Sequence, residues 1–375
     1  MNKTANPNQQ KNELTTWQFF LIAANYLIGP TYFVQMSGLI GSTKQWAWLP
    51  PTLAFLLSLG PIWVWLHLHK KYPGKNFAEI STELLGKKFG ALITIIFIYL
   101  FVLVAAFSTR NVGDLITTVS MKRTPITVFH FLTLIPAVYM ISKGVRTMGR
   151  LVEILTPVIF LIFWGSLFLL IGEWNQDRVI PPPDSFNWKA IQTSTLAFFS
   201  FPYLQFIAIT SILPLARNEA WGRRSILGAS AVATISTIAV VFLLIGTIGV
   251  TRISHLTYPT IAAAQEIRLF GGTLENLDVF VSSILISTVV IKVAVLLHAS
   301  LVFIQHILNF PYQIPILMLL TFVTLAFALG VHDNIIENID IAQKLTPYYS
   351  FLLGILLPLL LLVVSLFRKK GGEGQ

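Results

Sequence analysis

The chain of 375 residues is 55% hydrophobic and only 11% charged, carries a formal charge of +10, has a mean hydropathy of +0.73 and contains no cysteine. Soluble domains average about 25% charged residues, so a soluble fold, a disordered chain and a coiled coil are excluded. Without cysteine, so are disulfides, thiolate metal sites and cysteine nucleophiles. The basic excess reads as the Lys and Arg of cytoplasmic loops, not as a nucleic-acid surface.

Residues 1–13 read as a polar cytoplasmic tail. Ten apolar runs follow, each long enough for a membrane helix of about 20 residues. The first five lie between Glu13 and Lys44, Lys44 and Lys70, Lys88 and Arg110, Arg123 and Lys143, and Glu153 and Glu173. They make a first repeat over 14–172, and 173–189 is an external loop. The sixth and seventh lie between Lys189 and Arg217 and between Arg224 and Arg252. The stretch from Asp278 to Asp333 is interrupted only by Lys292 and holds the eighth and ninth, with turn chemistry at Asn309-Phe310-Pro311. The tenth, between Lys344 and Arg368, closes a second repeat over 190–367, and 368–375 is a cytoplasmic tail. The first run is too long for a signal peptide and more spans follow it. With the N-terminus inside, the inner segments hold twice the Lys and Arg of the outer ones, so both termini are expected in the cytoplasm.

Two runs are broken near their middles, the first at Gly29-Pro30 and the sixth at Ser200-Phe201-Pro202-Tyr203. Proline removes a backbone donor, and in lipid such a break survives only where protein or water satisfies the freed groups. The two prolines stand about half the chain apart. The expected fold is therefore all-α and membrane-integral: ten transmembrane helices in two inverted five-helix repeats, with helices 1 and 6 broken around a central ligand site.

Several segments carry a family likeness: Tyr72-Pro73-Gly74-Lys75 with Glu79 and Leu84-Leu85-Gly86-Lys87, Arg150-Leu151-x-Glu153-Ile154 with Pro157, Phe199-Ser200-Phe201-Pro202, Leu256-Thr257-Tyr258-Pro259-Thr260, and Pro347-Tyr348-Tyr349. In this order, over about residues 14–367, the chain resembles the B-subunit (GerAB-type) family of spore germinant receptors, within the amino acid–polyamine–organocation transporter superfamily. The resemblance implies a leucine-transporter-type fold in the inner spore membrane. It also implies a receptor subunit that senses a small nutrient, an amino acid or a sugar, and works with A and C subunits. Two positions depart from the family pattern. Gly29-Pro30-Thr31 replaces the usual Gly-x-Gly, and Leu204-Gln205 replaces a Gly-Glu pair.

The candidate ligand-binding residues start at the two breaks: Gly29, Pro30, Thr31 and Tyr32 in the first run, and Ser200, Phe201, Pro202 and Tyr203 in the sixth. The aromatic rings among them either close over a ligand or pack in the core. By resemblance, Leu103, Val104 and Phe107 in the third run form one wall, and the eighth run lines the site with Thr288 and Lys292. Thr288, Lys292 and Ala299 share one helical face. Lys292, a charge in mid-membrane, contacts a ligand anion or hydroxyl, fills the position a sodium ion holds in coupled transporters, or braces a helix break.

Arg150 and Glu153 are expected as a structural ion pair or an inner gate, and Arg110 to reach headgroups or pair with Asp114 at i+4. Thr257–Phe270 reads as a short helix over the site or a passive loop. His67-x-His69 has the wrong spacing for zinc on a helix. No nucleotide, metalloprotease or hydrolase motif is present, so neither an enzyme, a metal nor a cofactor is expected. The functional reading is a nutrient-sensing receptor subunit in contact with lipid; the alternatives are a secondary active transporter and a nutrient-gated channel.

Overall fold

The computed structural model describes residues 13–265, 277–332, 337 and 344–368. Each of the ten apolar runs is helical, as lipid demands of a backbone that must satisfy its own polar groups. In chain order they are α1 (Thr16–Val34, continued after a bend by Met36–Thr43), α2 (Leu49–Lys71), α3 (Phe77–Val119), α4 (Ile126–Ser142), α5 (Val145–Leu169), α6 (Trp188–Phe198, continued to Leu215), α7 (Glu219–Ile248), α8 (Leu277–Leu308), α9 (Gln313–Gly330) and α10 (Thr346–Phe351, continued to Phe367). Among the described residues eight helices are long and apolar enough to cross a membrane, or nine when the bent α1 pair is counted as one span. The remaining run, α4, has 17 residues, which at 1.5 Å per residue gives about 25 Å, near the lower limit for a span.

The helix ends follow from local chemistry. Thr15 and Gln18 form a capping box at the start of α1, and Asn76 and Glu79 form another at the start of α3. Gly74 and Gly86 both have φ of +76°, a region that admits glycine and few other residues. At Gly86 the backbone leaves the helix, and a short first segment of α3 folds against the longer one. A Cβ at Gly90 would lie 2.5 Å from the Thr82 Cα. The family-like segment 72–87 is thus a turn, a cap and a kink.

The first break is displaced from its expected place. α1 stays helical through Pro30, and Thr31 Oγ1 donates to the Leu27 carbonyl at 2.8 Å within the interrupted turn. The turn falls at Gln35, and the axis bends by 60° there. The second break is where the sequence puts it. Phe201 is extended (φ −132°, ψ 118°) inside a π-turn over Phe199–Tyr203, and the Phe201–Pro202 peptide is cis.

α8 packs on α1, α3, α4, α5 and the second half of α6. The α6 and α8 spans are 78% and 72% enclosed, against 22% for α5, so α6 and α8 are the interior and α5 is periphery. Peripheral helices turn Ile154, Leu161, Ile235 and Phe322 outward, an apolar exterior suited to lipid. At the end of the bundle near Leu14, the Leu14 N–H donates to the Leu215 carbonyl and the Arg217 N–H to the Leu14 carbonyl, both at 2.9 Å. Asn25 Nδ2 donates to Thr156 Oγ1 at 2.9 Å on the same side.

Candidate functional site

A cavity of about 610 Å³ lies where the two breaks meet. Its mouth, at the exposed Lys189 and Thr193, faces away from the end where Leu14 bonds Leu215 and Arg217. Val34, Gln35 and Ser37 at the α1 bend form one wall. α3 supplies a second through Val104, Phe107, Ser108 and Asn111, which share a face by i, i+3, i+4 and i+7 spacing. Phe201 and Gln205 of α6 and Tyr349 of α10 form the inner end, and Thr257 and Tyr258 border the outer part. The Phe107 ring stacks on Tyr349, centroids 5.9 Å apart and planes 12° from parallel. Burial, reinforced by the Asp114 charge, holds the Tyr258 phenol above its ordinary range, so it stays protonated at neutral pH.

Beneath the inner end lies a polar network. Lys292 Nζ donates to Gln205 Oε1 at 3.0 Å and sits 4.2 Å from the centre of the Phe201 ring and 5.2 Å from that of Tyr26. Gln205 Nε2 donates to Tyr349 Oη and Ser350 Oγ, both at 3.3 Å, and Tyr26 Oη donates to the Gln205 carbonyl at 2.7 Å. Four helices, α1, α6, α8 and α10, meet in these bonds. Above it, Gln35 Nε2 donates to the carbonyls of Phe201 (2.8 Å) and Ala197 (3.3 Å), while its Oε1 is buried without a hydrogen-bond partner.

Of the residues expected from sequence, Val104, Phe107 and Phe201 line the cavity, and Lys292 lies directly behind two lining side chains. The others are placed in packing instead. Gly29 is where α1 and α8 approach: a Cβ there would fall 1.5 Å from Thr288 Oγ1. Pro30 and Thr31 are buried within α1, and Thr288 bonds its own helix at the Leu285 carbonyl. Tyr32 stacks on Phe163 at 4.9 Å and bonds Ser236, and its carbonyl accepts from Thr260 Oγ1 at 2.7 Å. Ser200 bonds the Leu196 carbonyl, Pro202 is buried, and Tyr203 turns to α7, where its hydroxyl lies 2.6 Å from Thr234 Oγ1. Leu103 precedes Val104 by one residue, so it lies about a quarter turn round α3 from the lining face and is half-buried.

The Arg150–Glu153 pair does not form. Gln18 Nε2 reaches Glu153 Oε2 at 2.8 Å from α1, and Arg150 is exposed. The Arg110–Asp114 pair does form, Nε to Oδ1 at 3.1 Å and almost wholly buried, and His332 Nε2 lies 2.8 Å from the other Asp114 oxygen. Between α7 and α8 a helix forms over Pro259–Gln265 and packs on α1; the rest of the expected lid, 266–270, lies outside the described residues. Sequence reasoning missed Gln35, Ser108, Asn111 and Tyr349. Extending the α3 face by one turn from Val104 and Phe107 would have found Ser108 and Asn111.

A family model described as "Spore germination protein" matches residues 13–335. Spore germination protein KB of Bacillus subtilis (strain 168) is 22% identical over 97% of this chain and 97% of its own. Spore germination protein B2 of the same organism is 21% identical over 98% and 99%. Among solved structures, the crystal structure of MhsT in complex with L-phenylalanine superposes with a TM-score of 0.67 over 93% of this chain and 97% of that one, at 13% identity. At that identity the likeness shows the fold alone, and the fold is of the leucine-transporter type.

Proposed function

The chain belongs to the spore germination protein family, and on that premise we propose that it is the nutrient-sensing B subunit of a spore germinant receptor. In this reading it binds a small germinant, of amino acid or sugar class, in the cavity between the breaks of α1 and α6 and triggers germination together with A and C subunits. It resides in the inner spore membrane with both termini cytoplasmic, and its helices form two inverted repeats, 14–172 and 190–367.

The observation that carries the reading is the asymmetry of the cavity. It opens at one end of the bundle past Lys189, while at the other end Leu14 bonds Leu215 and Arg217, an asymmetry that suits capture of a solute from one side. Its wall is rich in hydroxyl and amide groups among aromatic rings, the usual make-up of a small-molecule site. The alternative is a secondary active transporter. A proton-driven one would be expected to carry a carboxylate at the site, where this chain has Gln205.

The test is dipicolinate release from spores lacking this chain, challenged with amino acids, sugars and ions beside the parent strain. Loss of response to one nutrient class, restored by complementation, is the expected result. An unchanged response, with solute uptake by the purified protein in liposomes, would give the transporter instead.

A further inference from the structure

We infer that Lys292 is a carboxylate-binding point behind the Phe201 ring, and that the cavity's ligand is a small solute carrying a carboxylate. The inference deepens the ligand-binding reading above and rests on it.

Lys292 is fully buried in the middle of α8. Its ammonium has three N–H groups and, among the described residues, one hydrogen-bond acceptor, the uncharged Gln205 Oε1. Its other close neighbours are the faces of Phe201 and Tyr26. No described carboxylate lies within 4.0 Å of it. Buried charges in membrane proteins are paired or line a ligand pathway, and aromatic faces compensate a cation only in part. A ligand anion would complete the arrangement.

The cavity supplies the route. Phe201 and Gln205, the two α6 side chains that touch Lys292, line it, while Lys292 does not. The ammonium is thus one side chain behind the wall. Phe201 sits on extended backbone in the break and is only half-buried, so its ring borders open space and displacing it brings Nζ to the cavity. The described lining contains no Asp or Glu, and its one charged member is Lys189 at the mouth. Lys189 at the mouth and Lys292 behind the inner end both attract an anion.

At the α1 bend the Gln35 N–H is taken by the Thr31 carbonyl at 3.3 Å. A carboxylate on Lys292 would leave the rest of a small solute beside the stacked pair of Phe107 and Tyr349.

The full chain in nanodiscs is tested by thermal unfolding against the twenty L-amino acids, lactate, benzoate, 3-phenylpropionate, glucose and spermidine. At least one carboxylate should raise the midpoint by several degrees, and its primary amide should not. Lys292→Met should abolish the shift, and Phe201→Ala should let acetate produce one. No shift with any carboxylate, equal shifts for acid and amide, or a shift with spermidine alone overturns the inference. The acid–amide comparison needs no variant, so a misfolded Lys292→Met leaves the test intact. A carboxylate site in a chain whose deletion leaves spore germination unchanged would remove only the receptor reading. A germination response that requires the chain and is triggered only by solutes without a carboxylate would remove only the carboxylate site.

Discussion

Gln35 at the bend of α1 donates its side-chain amide to the carbonyl of Phe201 in the break of α6, at 2.8 Å. The two interruptions of the bundle are thereby tied to each other. A second bond from the same amide goes to the Ala197 carbonyl at 3.3 Å. Breaks in lipid leave backbone acceptors without partners, and here a side chain of one break satisfies those of the other.

Replacing Gln35 with Leu removes both bonds and leaves the Phe201 carbonyl without its side-chain donor, while the Ala197 carbonyl keeps Ser200 Oγ at 3.1 Å. Stability should fall by about 1–3 kcal/mol, the usual penalty for a buried group left unsatisfied. The unfolding midpoint of the purified chain checks this, and a midpoint equal to that of the parent would show that the tie is not formed.

Gln205 carries the hydrogen bond of Lys292, so its substitution by Leu should be among the most damaging changes in the chain. Losing a buried hydrogen bond to a charged group costs about 1.5–3 kcal/mol. Gln205→Glu should act oppositely, raising the unfolding midpoint by placing a carboxylate within about 3 Å of the ammonium, at the bonding distance typical of such pairs. The same variant should lose stabilisation by external carboxylates, since the site would already hold one.

Gly29→Ala places a methyl group against Thr288 and should destabilise by about 1–3 kcal/mol through overpacking. Combined with Thr288→Gly, it should cost less than the sum of the two single changes, because residues in contact are energetically coupled. A double-mutant cycle in thermal unfolding measures this. Strict additivity would mean that α1 and α8 do not meet at these positions.

Tyr203→Phe should lose about 1 kcal/mol with its bond to Thr234, yet leave the half-maximal germinant concentration unchanged. Phe107→Ala, on the cavity wall, should raise that concentration by about tenfold, equivalent to about 1.4 kcal/mol. Spore germination titrations separate the two. A shift for Tyr203→Phe equal to that of Phe107→Ala would return Tyr203 to the site.

The sequence by itself determined the membrane class, the ten helical runs and the turn near Asn309, because a charge-free length and a proline are local signals. The i, i+4 pair of Arg110 and Asp114 was legible for the same reason. Only the tertiary structure decided which side of each helix faces the cavity. In a soluble helix the polar face marks the outside, but here lipid and core are both apolar, and the pattern along a span such as α3 says little about direction. Tyr203 and Phe201 are equally plausible by spacing, yet one turns to Thr234 and the other to the cavity. Glu153 likewise found its partner in Gln18, far away in sequence, rather than in Arg150 three residues before it. The bend at Gln35 rather than at Pro30 reflects the same dependence on distant partners, since Gln35 bonds to the carbonyls of α6.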